Sequence, residues 1–254
     1  MIIFLAFLLL TAVNWLPIPG TLQQVSVGAA NNVWGLDGGG SVFKYDGQTW
    51  RPMPGRLTCL SAATDGAVFG VNDVGNVYKW NGSDWSPMEG SLSCISAAGA
   101  RNVYGVDRAG TIWHWGGGHW EVIPGTLSSL AAASDGSLWG VDGAGTVFRW
   151  NGSGWSQMSG KLKQIAVGSD RVIWGINHEG DVWRWDGRAW VAEGTVRMNS
   201  ISAAFDGTLW GVDKSGQIYR AGRGGNLGSA SSRISSTLTE SLGSTGTRPA
   251  ASSW

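Results

Sequence analysis

The chain has 254 residues, with 18 basic and 18 acidic side chains, so no net field draws it to nucleic acid or to an anionic membrane. Its unusual figures are 17 Trp and 41 Gly; many indoles with few charges suit packed aromatic sheets or flat platforms for an uncharged ligand. His114, His119, His178 and the two cysteines are scattered without metal-ligand spacing, which argues against a metal centre.

From the N-terminus, Ile2 to Val13 form an apolar run that ends in small residues near Ala12, shorter than the roughly 20 residues of a membrane span. Residues 1–13 read as a signal peptide, so a secreted chain with no membrane span is expected. Next, an aromatic-Gly pair recurs as Trp34-Gly35, Phe69-Gly70, Tyr104-Gly105, Trp139-Gly140, Trp174-Gly175 and Trp210-Gly211, at an interval of 35 residues four times and 36 once. Each pair is followed by an apolar residue and then by Asp37, Asn72, Asp107, Asp142, Asn177 or Asp213. Beyond a glycine come Val or Ile, an aromatic, and a basic residue: Lys44, Lys79, His114, Arg149, Arg184 or Arg220. A fixed period of this length signals a repeat architecture.

Trp50, Trp85, Trp120, Trp155 and Trp190 complete five repeats, but the sixth stops after Arg220 without a Trp. The segment around Trp15 matches that around Trp50 and supplies the missing strand. A repeat divided between two distant segments is how a ring closes while leaving only short protected edges. Residues 14–221 therefore predict an all-β, six-bladed β-propeller of four-stranded antiparallel blades, closed by the N-terminal strand. In the second unit the expected strands are A, Thr58 to Ala63; B, Ala67 to Val71; C, Asn76 to Trp80; and D, Trp85 to Met88. Asp65-Gly66 and Asn81-Gly82 make the turns, and Pro54-Gly55 and Pro124-Gly125 are expected as links from D to the next A. Residues 222–254, mostly Ser, Gly, Thr and Ala, predict a disordered tail.

Alternating strand direction sorts the turns onto two faces. A-B and C-D turns share one face, and B-C turns with the D-to-A links share the other. A repeated carboxylate or amide beside an aromatic, in clefts between blades, provides the bidentate hydrogen bonds and the stacking surface that a sugar ring needs. The candidate glycan-binding residues are Asp37, Asn72, Asp107, Asp142, Asn177 and Asp213, with Lys79, Arg149, Arg184, Trp85, Trp155 and Trp190. Against that stands the ordinary role of an Asp opening a Gly-containing turn, which is to cap its own backbone. The Trp series has a similar bland role in packing blade on blade. The basic series either pairs with the Asp series or donates to ligand hydroxyls.

Asn81-Gly-Ser83 and Asn151-Gly-Ser153 are glycosylation sequons in C-D turns, where Asn-Gly is also ordinary hairpin chemistry. Cys59 and Cys94 occupy one repeat position, aligned with Gln24, Ser129, Gln164 and Asn199. A bridge between adjacent blades and two separate thiols both stay open, because equivalent atoms of neighbouring blades can lie too far apart to join. No catalytic residue is expected: nearly every polar group has counterparts in the other repeats, whereas catalysis needs different groups converging on one point.

Written as aromatic-Gly-Val-Asp/Asn, Gly-x-Val/Ile-aromatic-basic-Trp, Asp/Asn-Gly-x-x-Trp and Pro-Gly-x-Leu, residues 15–220 resemble the tectonin-repeat family, and most of all its secreted fish-egg lectin and tachylectin-type branch. The resemblance implies glycan sites in or near the inter-blade clefts. The sugars implied are N-acetylglucosamine-like, O-methylated or bacterial-surface ones. The units Trp139 to Trp155 and Trp174 to Trp190 keep the pattern best. Departures are Gly116-Gly117 for Asp/Asn-Gly, Ala221 for Trp, and Glu89, Ser159 and Glu193 for the Pro before Gly. The expected function is a secreted, multivalent lectin for glycans on microbial, egg or other cell surfaces, acting in innate defence or agglutination. It needs no cofactor, calcium dependence and oligomeric state being left open. The rival is a non-enzymatic protein-interaction scaffold of the same repeat type.

Overall fold

The computed structural model describes residues 13–222. The signal peptide expected at 1–13, apart from Val13, and the tail expected at 222–254, apart from Gly222, lie outside them.

Six four-stranded antiparallel sheets make up the described residues, each in sequence order from strand A to strand D except the one that closes the ring. Blade 1 runs Gln24–Ala29, Asn32–Leu36, Ser41–Tyr45 and Trp50–Arg56. Blades 2 to 5 repeat it over 59–91, 94–126, 129–161 and 164–192. Blade 6 takes Ser200–Ala203, Leu209–Val212 and Gln217–Ala221 from the end of the repeat region and Trp15–Thr21 from its start. In that seam Trp15 pairs with Ala221 and Ile18 with Ile218.

The core is divided into six apolar clusters, each drawn from two neighbouring blades. That explains why strands B read as unbroken apolar runs: both faces of a blade are covered by its neighbours. Two sequence signatures meet there. The glycine after the strand-B aromatic leaves room for the leucine of the Gly-x-Leu motif in blades 1 to 5 and for Met198 in blade 6, and a Cβ at Gly70 would collide with Leu57. At the axis, Ser26, Ser61, Ser96 and Ser202 each accept a backbone N–H from strand A of the next blade, at 2.8 to 3.0 Å. Blades 4 and 5 have Ala131 and Ala166 at this register position.

Three local expectations differ from the structure. Strand D is longer than expected, Trp85–Ser91 in blade 2. The Pro-Gly pairs are bulges inside it rather than links, since Val42 pairs with Met53 while Ser41 pairs with Arg56. Gly55 sits there at φ +92°, and a Cβ on it would meet the Trp85 indole of the next blade at 2.8 Å; a closely approaching ring, not a chain reversal, is what requires the glycine. The third concerns the cysteine series. Its blade 6 member is Ser200, paired with Val212, rather than Asn199, because the extra residue of the 36-residue interval falls between strand D of blade 5 and Ser200. Cys59 and Cys94 are joined in a disulfide with Cα atoms 5.3 Å apart.

Candidate functional site

The B-C turns carry the Asp/Asn series on one face of the ring, and in each the side chain first serves its own loop. Asp37 accepts the N–H groups of Gly39 and Ser41, both at 2.8 Å. Asp142 accepts those of Ala144 and Thr146, Asp107 those of Ala109 and Thr111, and Asp213 those of Ser215 and Gln217. Asn72 and Asn177 each accept one, from Asn76 and Asp181. Burial would raise the four carboxyls. The hydrogen bonds, led by Ser41, Trp113, Thr146 and Ser215 in turn, outweigh it and hold all four below the ordinary aspartate value.

One oxygen caps the turn, which leaves the second heteroatom facing outward. It meets the aromatic six residues on, in strand C. The Trp113 indole donates to Asp107 Oδ2 at 3.0 Å, the Tyr219 hydroxyl donates to Asp213 Oδ2 at 3.3 Å, and Asn72 Nδ2 donates to the Tyr78 hydroxyl at 3.4 Å. The counterparts of these rings beside Asp37 and Asp142 are Phe43 and Phe148, which have no polar tip, so no strand-C ring donates to Oδ2 of either acid; Arg56 and Lys161 stand nearby as charges. In blade 5 the amide of Asn177 donates instead to Asp181 at 3.1 Å. All six strand-C rings are partly exposed. A carboxylate or amide beside a partly exposed ring is thus repeated around this face.

The Trp and basic candidates occupy the other end of strands C and D. Trp85, Trp155 and Trp190 donate their indole N–H to main-chain carbonyls of the preceding blade, Pro54, Pro124 and Ser159, at 2.8 to 2.9 Å. With Trp80 and Trp185, two of them wall the buried strand-B ring of the preceding blade: Trp34 lies 5.6 and 6.3 Å from Trp80 and Trp85, and Trp139 lies 5.7 and 6.3 Å from Trp185 and Trp190. Such edge-on contacts add about 0.5–1.5 kcal/mol each beyond burial.

The basic residues do not pair with the Asp series, because each stands opposite a strand-B ring in the cross-strand register, away from the B-C turn. Lys44 lies 5.4 Å above Trp34, Lys79 5.5 Å above Phe69, Arg149 5.7 Å above Trp139 and Arg220 6.0 Å above Trp210. His114 stacks on Tyr104 at 4.5 Å; burial pushes its imidazole down, with Glu121 acting the other way. Arg184 turns instead to the buried Glu193, at 2.8 Å.

Both sequon asparagines are exposed in C-D turns, and Oδ1 of each accepts N–H groups from its own loop. The strand-C aromatics were not among the candidates. The signal for them is the constant spacing of six from the turn Asp or Asn across a tight hairpin.

The profile of the Tectonin domain matches residues 21–118 and 97–245. No curated protein sequence matches the chain. Among solved structures it is similar to YCF48 bound to D1 peptide, with 15% identity, 82% of this chain and 96% of that chain covered, and a TM-score of 0.52. A Bacteroides thetaiotaomicron protein of unknown function is 13% identical over 82% of this chain and 72% of that one, with a TM-score of 0.58. Streptogramin B lyase is 11% identical over 82% and 96%, with a TM-score of 0.55. At these identities the likeness is one of fold.

Proposed function

Because the chain belongs to the tectonin family, we propose that it is a secreted, non-enzymatic lectin that binds glycans on microbial, egg or other cell surfaces through repeated shallow sites. The observation that carries this reading is the B-C face. There a turn-capping acid or amide stands beside a partly exposed strand-C ring in every blade, and at Asp37 and Asp142 that ring is a Phe, which makes no hydrogen bond to the outer carboxylate oxygen. Two vicinal hydroxyls suit that oxygen, and the apolar face of a sugar suits the ring. N-acetylglucosamine-like or O-methylated sugars add a methyl group for the same ring to cover.

Secretion is supported by the apolar run of residues 2–13 and by the Cys59–Cys94 disulfide, since such bonds persist in oxidising compartments. Several weak sites on one rigid ring gain avidity on a repetitive surface by a factor of about 10² to 10⁴, the property that innate defence or agglutination uses. Calorimetric titration with N-acetylglucosamine tests it: more than one site per chain is expected. No response to any sugar on a glycan array, together with a protein partner captured on one face, would turn the reading to a scaffold.

A further inference from the structure

On the opposite face, where the A-B turns lie, the six-fold pattern breaks. Blades 2, 4 and 6 turn through Asp65-Gly66, Asp135-Gly136 and Asp206-Gly207, and these acids reach across to the next blade. Asp65 accepts the N–H of Ala100 at 2.7 Å, Asp135 that of Asp170 at 2.7 Å and Asp206 that of Ala30 at 3.1 Å. The alternation makes the ring three pairs of blades rather than six equal ones.

One of these three joints differs from its sisters. Between blades 4 and 5 lies a cavity of about 610 Å³ lined by Ser137, Arg149, Asp170 and Arg171, with Phe205 from the A-B turn of blade 6 at its edge. Neither guanidinium pairs with a carboxylate among the described residues. The Asp135 carboxylate is occupied by the N–H groups of Ser137 and Asp170, whereas Asp170 is exposed and its carboxylate accepts no hydrogen bond among the described residues. Phe205 is 49% exposed, so a ring face is open at the cavity edge for an apolar surface to stack on. Its counterparts in the other two Asp-Gly turns are Thr64 and Ser134, and the counterparts of Arg171 are Arg101 and Asn31.

We propose that this cavity is a second, unrepeated sugar site, present once per chain, that takes an uncharged pyranose. The assignment rests on the lectin reading and adds to it. Arg149 and Arg171 donate to ring hydroxyls, Asp170 accepts from them, and Phe205 stacks on the apolar face. The charges of the two arginines are balanced by Asp135 and Asp170, so the site offers hydrogen bonds without a net field, which disfavours an acidic ligand. The lectin is then two-faced, with weak repeated sites on the B-C side and one stronger site behind them.

The test is a glycan array of neutral and acidic sugars, followed by titration of the best neutral binder. The full chain carries Asn151→Gln as background, because that sequon lies one residue beyond Trp150. Phe205→Ala and Arg171→Ala are each expected to weaken the one-per-chain class about threefold to tenfold, as loss of a stacking ring or a charged donor predicts. Arg101→Ala, in the sister joint, is expected to leave it unchanged. Wild-type affinity in both cavity variants overturns the site and leaves the lectin reading standing, as does tight binding confined to acidic sugars. Absence of binding to every glycan overturns both.

Discussion

The joint between blades 2 and 3 and the joint between blades 5 and 6 are built from the same repeat and hold by different means. In the first, the Cys59–Cys94 disulfide crosses the boundary, Ser61 and Asp65 accept N–H groups of the next blade, and Lys79 lies over Phe69, which packs with Trp115 and Trp120. In the second, the Gln164 amide bonds to both backbone groups of Ile201, at 3.2 and 3.3 Å, Ala166 replaces the serine, and Arg184 has left its ring for Glu193. The buried Trp174 ring then packs with Ala221 and with Trp15, which arrives from the far end of the repeat region. The repeat therefore specifies a blade. How firmly blades join depends on the positions that the repeat leaves free, and the ring is expected to open at the seam first.

The largest test of that contrast is Trp15→Ala. Trp15 is 8% exposed, and its truncation is expected to cost about 3–5 kcal/mol, read by denaturant unfolding, with hydrogen exchange rising first in Gln217–Ala221. Unchanged stability would mean that the first strand does not hold the ring. Next, Cys59→Ala with Cys94→Ala removes a crosslink spanning 35 residues, a loss of about 3–4 kcal/mol on loop-closure grounds. If the seam is already the weak point, this double variant unfolds with both joints opening together. Glu193→Gln is expected to cost about 1.5–3 kcal/mol, the range for a hydrogen bond to a charged group, because Glu193 is 6% exposed and Arg184 loses its charged partner. A crystal structure of this variant, with Arg184 swung over Trp174, would show that the joint between blades 5 and 6 can adopt the ordinary arrangement.

The smallest expected effect separates blades by pH. Asp37, Asp107, Asp142 and Asp213 have folded values below the ordinary one. Their stabilisation is complete above the unfolded pKa of about 4 and is lost as pH falls through the folded values. Blade 2, capped by Asn72, whose amide bonds to the Tyr78 hydroxyl, keeps its turn throughout. Amide exchange at Thr146 and Asn76 should therefore diverge in acid; parallel behaviour would remove the caps from the account.

Much of the ring was legible because its period, its aromatic-Gly pairs and the unfinished sixth repeat are all local patterns in the sequence. The extent of strand D was not. Pro-Gly ordinarily ends a strand, and only the neighbouring blade's indole, seated on Gly55, reveals that here it bulges and continues. The slip from Ser200 to Asn199 had a similar origin, since a one-residue insertion can be placed only once pairing is known. Of the site, the Asp/Asn turns and their capping role were readable from Asp-to-Gly spacing. Their aromatic neighbours were hidden behind the more conspicuous Trp series, whose position at the other end of the hairpin follows from strand direction. Phe205 gave no signal at all, because its importance depends on two blades other than its own.

The shared blade has a consequence for how the molecule is made. Ile18 waits for Ile218, so while the polypeptide emerges from the ribosome the strand Trp15–Thr21 has no sheet to join. Until Gln217–Ala221 has been synthesised, the nascent chain carries an open arc with unsatisfied edges at both ends. Chaperone dependence is then expected to end abruptly once the last strand of the repeat region is available rather than to decline blade by blade.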